Sequence, residues 1–185
     1  MLNLLNSISQ TKQLDIFLMI VIGLGALWFL LLFIDIGFVL TFKTILNKHK
    51  KSLTVILNTK YLNLLKIFEI AKENGIEIKE NVTNILTEMD KVGFTKHDSE
   101  LGEKMRAYLS YLGEEARYII NKNKSAFSNG EGEIVITNLK DNEIQLRSNI
   151  AMYNADILGF NYWIGFLPTR FIYKLLKIKK KELIS

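Results

Sequence analysis

Charged and apolar positions divide the chain into two unequal parts. From Ile16 to Ile34 no residue carries a charge, and after Asp35 the chain is again uncharged through Phe42 before Lys43. A hydrocarbon layer about 30 Å thick needs roughly 20 helical residues, so the first run alone has the length to cross it. It lacks the polar positions that a soluble amphipathic helix shows every three or four residues. The pattern predicts a transmembrane helix over 16–42, preceded by a short extracytoplasmic segment, 1–15. A cleaved signal peptide fits less well. Its apolar region is shorter, positive charge precedes it and a small-residue site follows it, whereas here only Lys12 precedes the run, offset by Asp15.

Downstream, apolar residues return at helical spacing. Leu53, Leu57, Tyr61, Leu64, Phe68 and Ala71 form one face of a helix continuing out of the span, and Asn74-Gly75 is its predicted C-terminal cap. Ile78, Val82, Ile85, Met89 and Val92 predict a second helix. After the break at Gly93–Ser99, with Asp98 or Ser99 as cap, Leu101, Met105, Tyr108, Leu112, Ala116 and Ile119 predict a third. Asn121–Gly132 reads as loop, with a turn at Asn129-Gly130. The last helix has the clearest register: Leu146, Ile150, Tyr153, Ile157, Phe160, Ile164 and Leu167. Residues 133–137, Glu-Ile-Val-Ile-Thr, would pass for a strand alone, but they have no partner strand and are taken as the lead-in of that helix. The expected fold is therefore all-α: an N-terminal transmembrane helix followed by an antiparallel up-and-down bundle over 43–167 and a basic amphipathic tail over 168–185. Four helices are preferred. If 93–99 is a kink rather than a reversal, three long helices result, and the C-terminus no longer returns toward the membrane.

Charge adds an orientation. Lys43, Lys48, Lys50, Lys51 and Lys60 follow the apolar run, with no acidic residue until Glu69. By the positive-inside rule the N-terminus lies outside and the domain inside, in a single-pass protein whose lysines can meet anionic headgroups. Asp35 has two readings: a headgroup-level carboxylate at the cytoplasmic edge, which is preferred, or an intramembrane charge marking an ion path or a partner span.

Catalytic chemistry finds little support. The 185 residues include no cysteine and two histidines, His49 and His97, each in a polar stretch. There is neither a GxGxxG nor a P-loop pattern, and no Glu-x-x-His pair that would suggest a di-iron bundle. The sequence is read as non-enzymatic, with no catalytic residues, cofactor or metal.

The fourth helix carries Tyr153-Asn154, then Phe160-Asn161, Ile164 and Leu167-Pro168, with Glu143 and Arg147 upstream. This resembles the C-terminal signature of the LemA family, where a Tyr-Asn pair recurs after seven residues and an isoleucine and a Phe-Pro follow. The stretch around Tyr61–Val92 is similar to that family's leucine-rich helix junction, and the anchor stands in the expected place. The chain departs from the pattern at Phe160 and Leu167, and the family's arginine pair and proline near 60–66 are missing. The resemblance implies a bacterial cell-membrane protein with a cytoplasmic helical bundle. Some relatives, the magnetosome-type members among them, are linked to membrane remodelling. It supplies no catalytic residues.

Asn154 and Asn161 lie one step round the helix from the seam. They would form either an inter-helix hydrogen-bond ladder that fixes register, the preferred reading, or a groove for a peptide or partner helix. Beyond them, Phe160, Tyr162, Trp163 and Phe166 precede a segment that sets Phe171, Ile172, Leu175 and Ile178 against Arg170, Lys174, Lys177, Lys179, Lys180 and Lys181. Membrane-surface contact is the expectation for these cations and Trp163, ahead of a solvated lysine face; nucleic acid is not expected. The sequence thus suggests a membrane-anchored, self-associating structural or scaffolding protein that organises membrane. An adaptor binding a protein or peptide partner through the bundle is the alternative.

Overall fold

Helix α1 runs without a break through Leu2–Glu73, so the apolar run and the first predicted bundle helix belong to one element. Glu80–Val92 (α2), Ser99–Lys122 (α3), Gly130–Gly165 (α4) and Arg170–Leu175 (α5) follow, with a 3-10 turn at Lys124–Phe127. The structure, a computed structural model, describes the backbone of residues 2–92, 99–166 and 169–184 and the side chains of 13–91, 103–166 and 169–184. Among the described residues there is no strand, and the fold is all-α as the periodicity predicts. Residues 2–15, expected as a short extension, are already helical. The expected roles of Leu167, Pro168, His97 and Asp98 fall outside the described residues.

The chain forms two compact units, Met1–Asn47 with Asn154–Ile184, and Lys48–Tyr153; α1 and α4 contribute to both. In the second unit the predicted faces meet. Tyr61, Leu64, Ile67, Phe68 and Ala71 of α1 pack with Val82 and Met89 of α2, Met105, Leu109, Leu112, Ala116 and Ile119 of α3, and Val135 and Leu139 of α4. A Lys104–Glu88 ion pair at 2.5 Å and a bond from the Tyr108 hydroxyl to Glu88 at 2.6 Å join α2 and α3. In one continuous helix positions 88 and 104 would stand ~24 Å apart, so the chain reverses between α2 and α3 rather than kinking. Four helices therefore line this core.

Local chemistry explains the ends. Gly75 has φ 69°, its N–H bonds to the Lys72 carbonyl at 3.0 Å, and the Ile76 N–H reaches Ala71 at 2.9 Å. This is the left-handed cap expected there. At the start of α4 the Asn129 side chain accepts the Gly132 N–H at 2.9 Å, an N-cap, and Gly132 lets the helix lie against the Phe127 backbone. The 133–137 segment belongs to the first turns of α4, and the buried register extends upstream of Leu146 through Asn142, Leu139 and Val135. Buried Asn142 faces main chain of α1, where its amide, turned so that the nitrogen meets the Ile56 carbonyl, donates to that carbonyl and accepts the Lys60 N–H.

In the first unit, α1 from Leu14 to Phe33 turns its apolar side chains outward. Ile16 is 59% exposed, Met19 72% and Phe33 71%, and this helix is long and apolar enough to cross a membrane. Further along it, the chain packs antiparallel on itself: Trp28 stacks on Phe171 at 6.0 Å, and Phe38 on Trp163 at 4.3 Å. Residues 28–42, the second half of the expected span, thus have protein neighbours in α4 and α5.

Candidate functional site

The first unit gathers much of what the sequence marks as unusual. Asn154 and Asn161 stand on α4 beside the buried line Tyr153, Ile157, Phe160 and Ile164. Their partners are not another helix. The Asn154 amide donates to the Ile184 carbonyl at 2.8 Å and accepts the Ile184 N–H at 2.9 Å. Asn161 does the same for Lys181, donating to its carbonyl and accepting its N–H, both at 2.8 Å. Each asparagine thereby copies the paired donor and acceptor of a neighbouring strand.

The spacing has a geometric reason. Seven residues of helix advance ~10.5 Å. Three residues of extended chain advance ~9–10 Å, so asparagines a heptad apart meet every third residue of an extended segment. In accord, Ile178, Lys181 and Ile184 are the partly covered tail positions, while Lys179, Lys180, Glu182 and Leu183 are exposed. The expected inter-helix ladder is thus replaced by a main-chain clamp on the chain's own C-terminal segment.

The tail correspondingly differs from the amphipathic helix that its spacing suggests. Only Arg170–Leu175 is helical. Lys177 then takes φ 55°, with its N–H on the Lys174 carbonyl at 3.2 Å and the Ile178 N–H on Tyr173 at 2.9 Å. That is a left-handed helix stop built on lysine instead of glycine, after which the chain is extended. Past this point the two asparagines offer the main chain four hydrogen bonds.

Asp35 is 0% exposed and accepts a hydrogen bond from the hydroxyl of Thr169, itself 1% exposed. The carboxylate, expected from sequence at headgroup level, is thus covered by α5 and not open at the helix surface. Tyr173 is buried beside it, and burial first, then the Asp35 carboxylate, raises the tyrosine's pKa.

The basic residues divide by role. Lys43, Lys48, Lys50, Lys51, Lys174 and Lys179 are exposed, available for surface contact. Lys177 forms the helix stop, and the Lys181 ammonium lies 5.6 Å from the Phe160 ring. Trp163 is partly covered by its stack on Phe38. Arg170, Lys174 and Lys180 line a cavity of about 260 Å³ with Ile164, Gly165, Tyr173 and Ile178.

In the second unit Glu143 is an ion-pair hub, 2.5 Å from Arg117 and 3.8 Å from Lys60. Lys60 is only 8% exposed, and burial lowers its pKa against the opposing pull of Glu143. Arg147 is exposed. A cleft between α2 and α3 is lined by Asn81, Asn84, Ile85, Glu88, Tyr108 and Tyr111, and its carboxylate is already bonded to Lys104 and Tyr108. Among the described residues no group of His, Cys, Asp and Glu could hold a metal ion. Sequence reasoning missed Asn142, Thr169 and Tyr173; the only available signal was a polar residue continuing the α4 register at 142. Comparison with known protein families, curated proteins and solved structures finds no match.

Proposed function

We propose that this protein is a non-enzymatic, membrane-anchored scaffold that self-associates and organises the membrane in which it sits, with its N-terminus outside and its helical bundle in the cytoplasm. One observation carries the reading: a helix face of membrane-spanning length from Leu14 to Phe33 is left uncovered by the rest of the chain. Apolar surface on that scale needs a lipid or protein cover. The lysines after the run favour the stated orientation. The clamped basic tail, and the Phe171 and Trp163 rings stacked on Trp28 and Phe38, support a second hold on the same membrane, and the LemA-like Tyr-Asn pattern points to the same class of protein.

Because the chain has no cysteine, single-cysteine labelling tests the anchor and its direction cleanly. An impermeant maleimide is expected to label Gln10→Cys in intact cells, and Ser110→Cys only after lysis. Release of the protein by alkaline carbonate, or the opposite labelling pattern, overturns the reading.

The main-chain clamp favours one second reading, an adaptor whose α4 groove accepts an extended peptide once the tail leaves it. Partner capture that depends on Asn154 and Asn161 while assembly persists would select it.

A further inference from the structure

The cavity at the junction of α4, α5 and the tail has the chemistry of an anion site. Arg170 and Lys174 come from successive turns of α5, and Lys180 from the extended segment. Lys180 Nζ stands 3.7 Å from where a Cβ on Gly165 would lie, so the ammonium reaches the cavity wall beside that glycine. Among the described residues none of these three cations is ion-paired, while the other walls, Ile164, Ile178 and the Tyr173 ring, are largely apolar. Three cations lining one small cavity, none of them ion-paired among the described residues, match a phosphate.

The surroundings choose between a free anion and a lipid. Phe171 and Leu175 each follow one of the basic residues of α5 and are 51% and 78% exposed; Leu176 is 63% exposed. Phe171 also stacks on Trp28, within the apolar stretch of α1. Apolar side chains beside cations suit a ligand with acyl chains and an anionic head.

We propose that Arg170, Lys174 and Lys180 form a binding site for the phosphate of an anionic phospholipid, and that the asparagine clamp builds it. Lys181, the residue after Lys180, is fixed through its main chain to Asn161. The clamp thus turns a flexible polybasic end into a site with a defined third cation. The proposal rests on the membrane-anchored reading and names the lipid that the anchor selects.

The test uses the full chain in a neutral detergent, titrated calorimetrically with dihexanoyl phosphatidylglycerol, with dihexanoyl phosphatidylcholine and glycerol phosphate as separate arms. Saturable binding of the anionic lipid at one site per chain is expected, with the other two weaker by about tenfold or more. Replacing Arg170, Lys174 and Lys180 together by glutamine should weaken binding about a hundredfold. The equal charge change Lys48→Gln, Lys50→Gln, Lys51→Gln should move it less than about threefold, since those lysines lie outside the cavity. Gly165→Leu fills the cavity without altering charge, and Asn161→Ala frees Lys180; both should weaken binding with helicity and melting of the bundle retained. Equal loss in the two triple variants overturns the site in favour of general charge attraction, and equal affinity for glycerol phosphate overturns the lipid assignment. A chain that stays in the membrane after carbonate washing yet binds both lipids alike sinks this proposal and leaves the anchor standing.

Discussion

Replacing Asn154 and Asn161 by alanine should free the C-terminal segment without unfolding the bundle. The two side chains make four hydrogen bonds to the main chain of Lys181 and Ile184, at 2.8–2.9 Å and partly buried. At about 0.5–1.5 kcal/mol net for each bond, one asparagine contributes roughly 1–3 kcal/mol and the pair roughly 2–6. Each extended residue also loses backbone entropy on being held, and with both clamps gone the main chain of Lys181 and Ile184 loses the side-chain bonds that offset this cost. The direct assay is hydrogen exchange of the Lys181 and Ile184 amides in the full-length protein in detergent. Each single alanine variant should lower protection of its own partner amide about tenfold or more. The double variant should expose the whole tail, and trypsin should then cut at Lys177–Lys181 first. Asn161→Asp keeps the acceptor but loses the donor to the Lys181 carbonyl, so an intermediate effect is expected. Unprotected Lys181 and Ile184 amides in the wild type, or protection unchanged in the double variant, would refute the clamp.

Further outcomes follow from single contacts. A Cβ on Gly132 would stand 2.7 Å from the Phe127 carbonyl oxygen, so Gly132→Ala should cost about 1–3 kcal/mol of stability in thermal unfolding. Gly75 and Lys177 both take positive φ, and exchange should act in opposite directions. Gly75→Ala is expected to destabilise by about 1 kcal/mol, while Lys177→Gly relieves a comparable strain and should raise the protection of the tail amides. Lys60→Met should stabilise the bundle by about 1 kcal/mol near neutral pH, because it removes a buried cation while Glu143 keeps Arg117. Burial lowers the folded-state pKa of Lys60 below its ordinary 10.5. Between those two values the unfolded chain binds more protons, so wild-type stability rises with pH there. The advantage of Lys60→Met should accordingly shrink as pH approaches 10.5, and an advantage that grows would contradict the assignment.

The helices were legible because their signals are local and periodic. The register from Leu146 to Ile164 is read directly from side-chain type, and Asn74-Gly75 announces its own cap. The start of α4 was obscured by Asn142, a polar residue in a core position whose partner is main chain of α1, which no side-chain pattern encodes. The heptad spacing of Asn154 and Asn161 was visible, but its occupant was not. An extended segment held through its own N–H and C=O groups leaves no mark in the sequence of Ile178–Ile184. Likewise Asp35 and Thr169 are 134 positions apart, and nothing near Asp35 indicates that a hydroxyl will reach it. The lysines of the tail read as one amphipathic stripe because spacing alone ignores competition. The left-handed turn at Lys177 and the clamp divert the chain, so the exposed Lys180 lines a cavity while Lys181 lies over Phe160.

The scaffold reading is tested most directly by the native mass of the full-length protein reconstituted in bilayer discs that contain anionic lipid. Assemblies of several copies, persisting on dilution and arranged as a closed or extended array when imaged, are the expected result. Single copies at every protein density would contradict it.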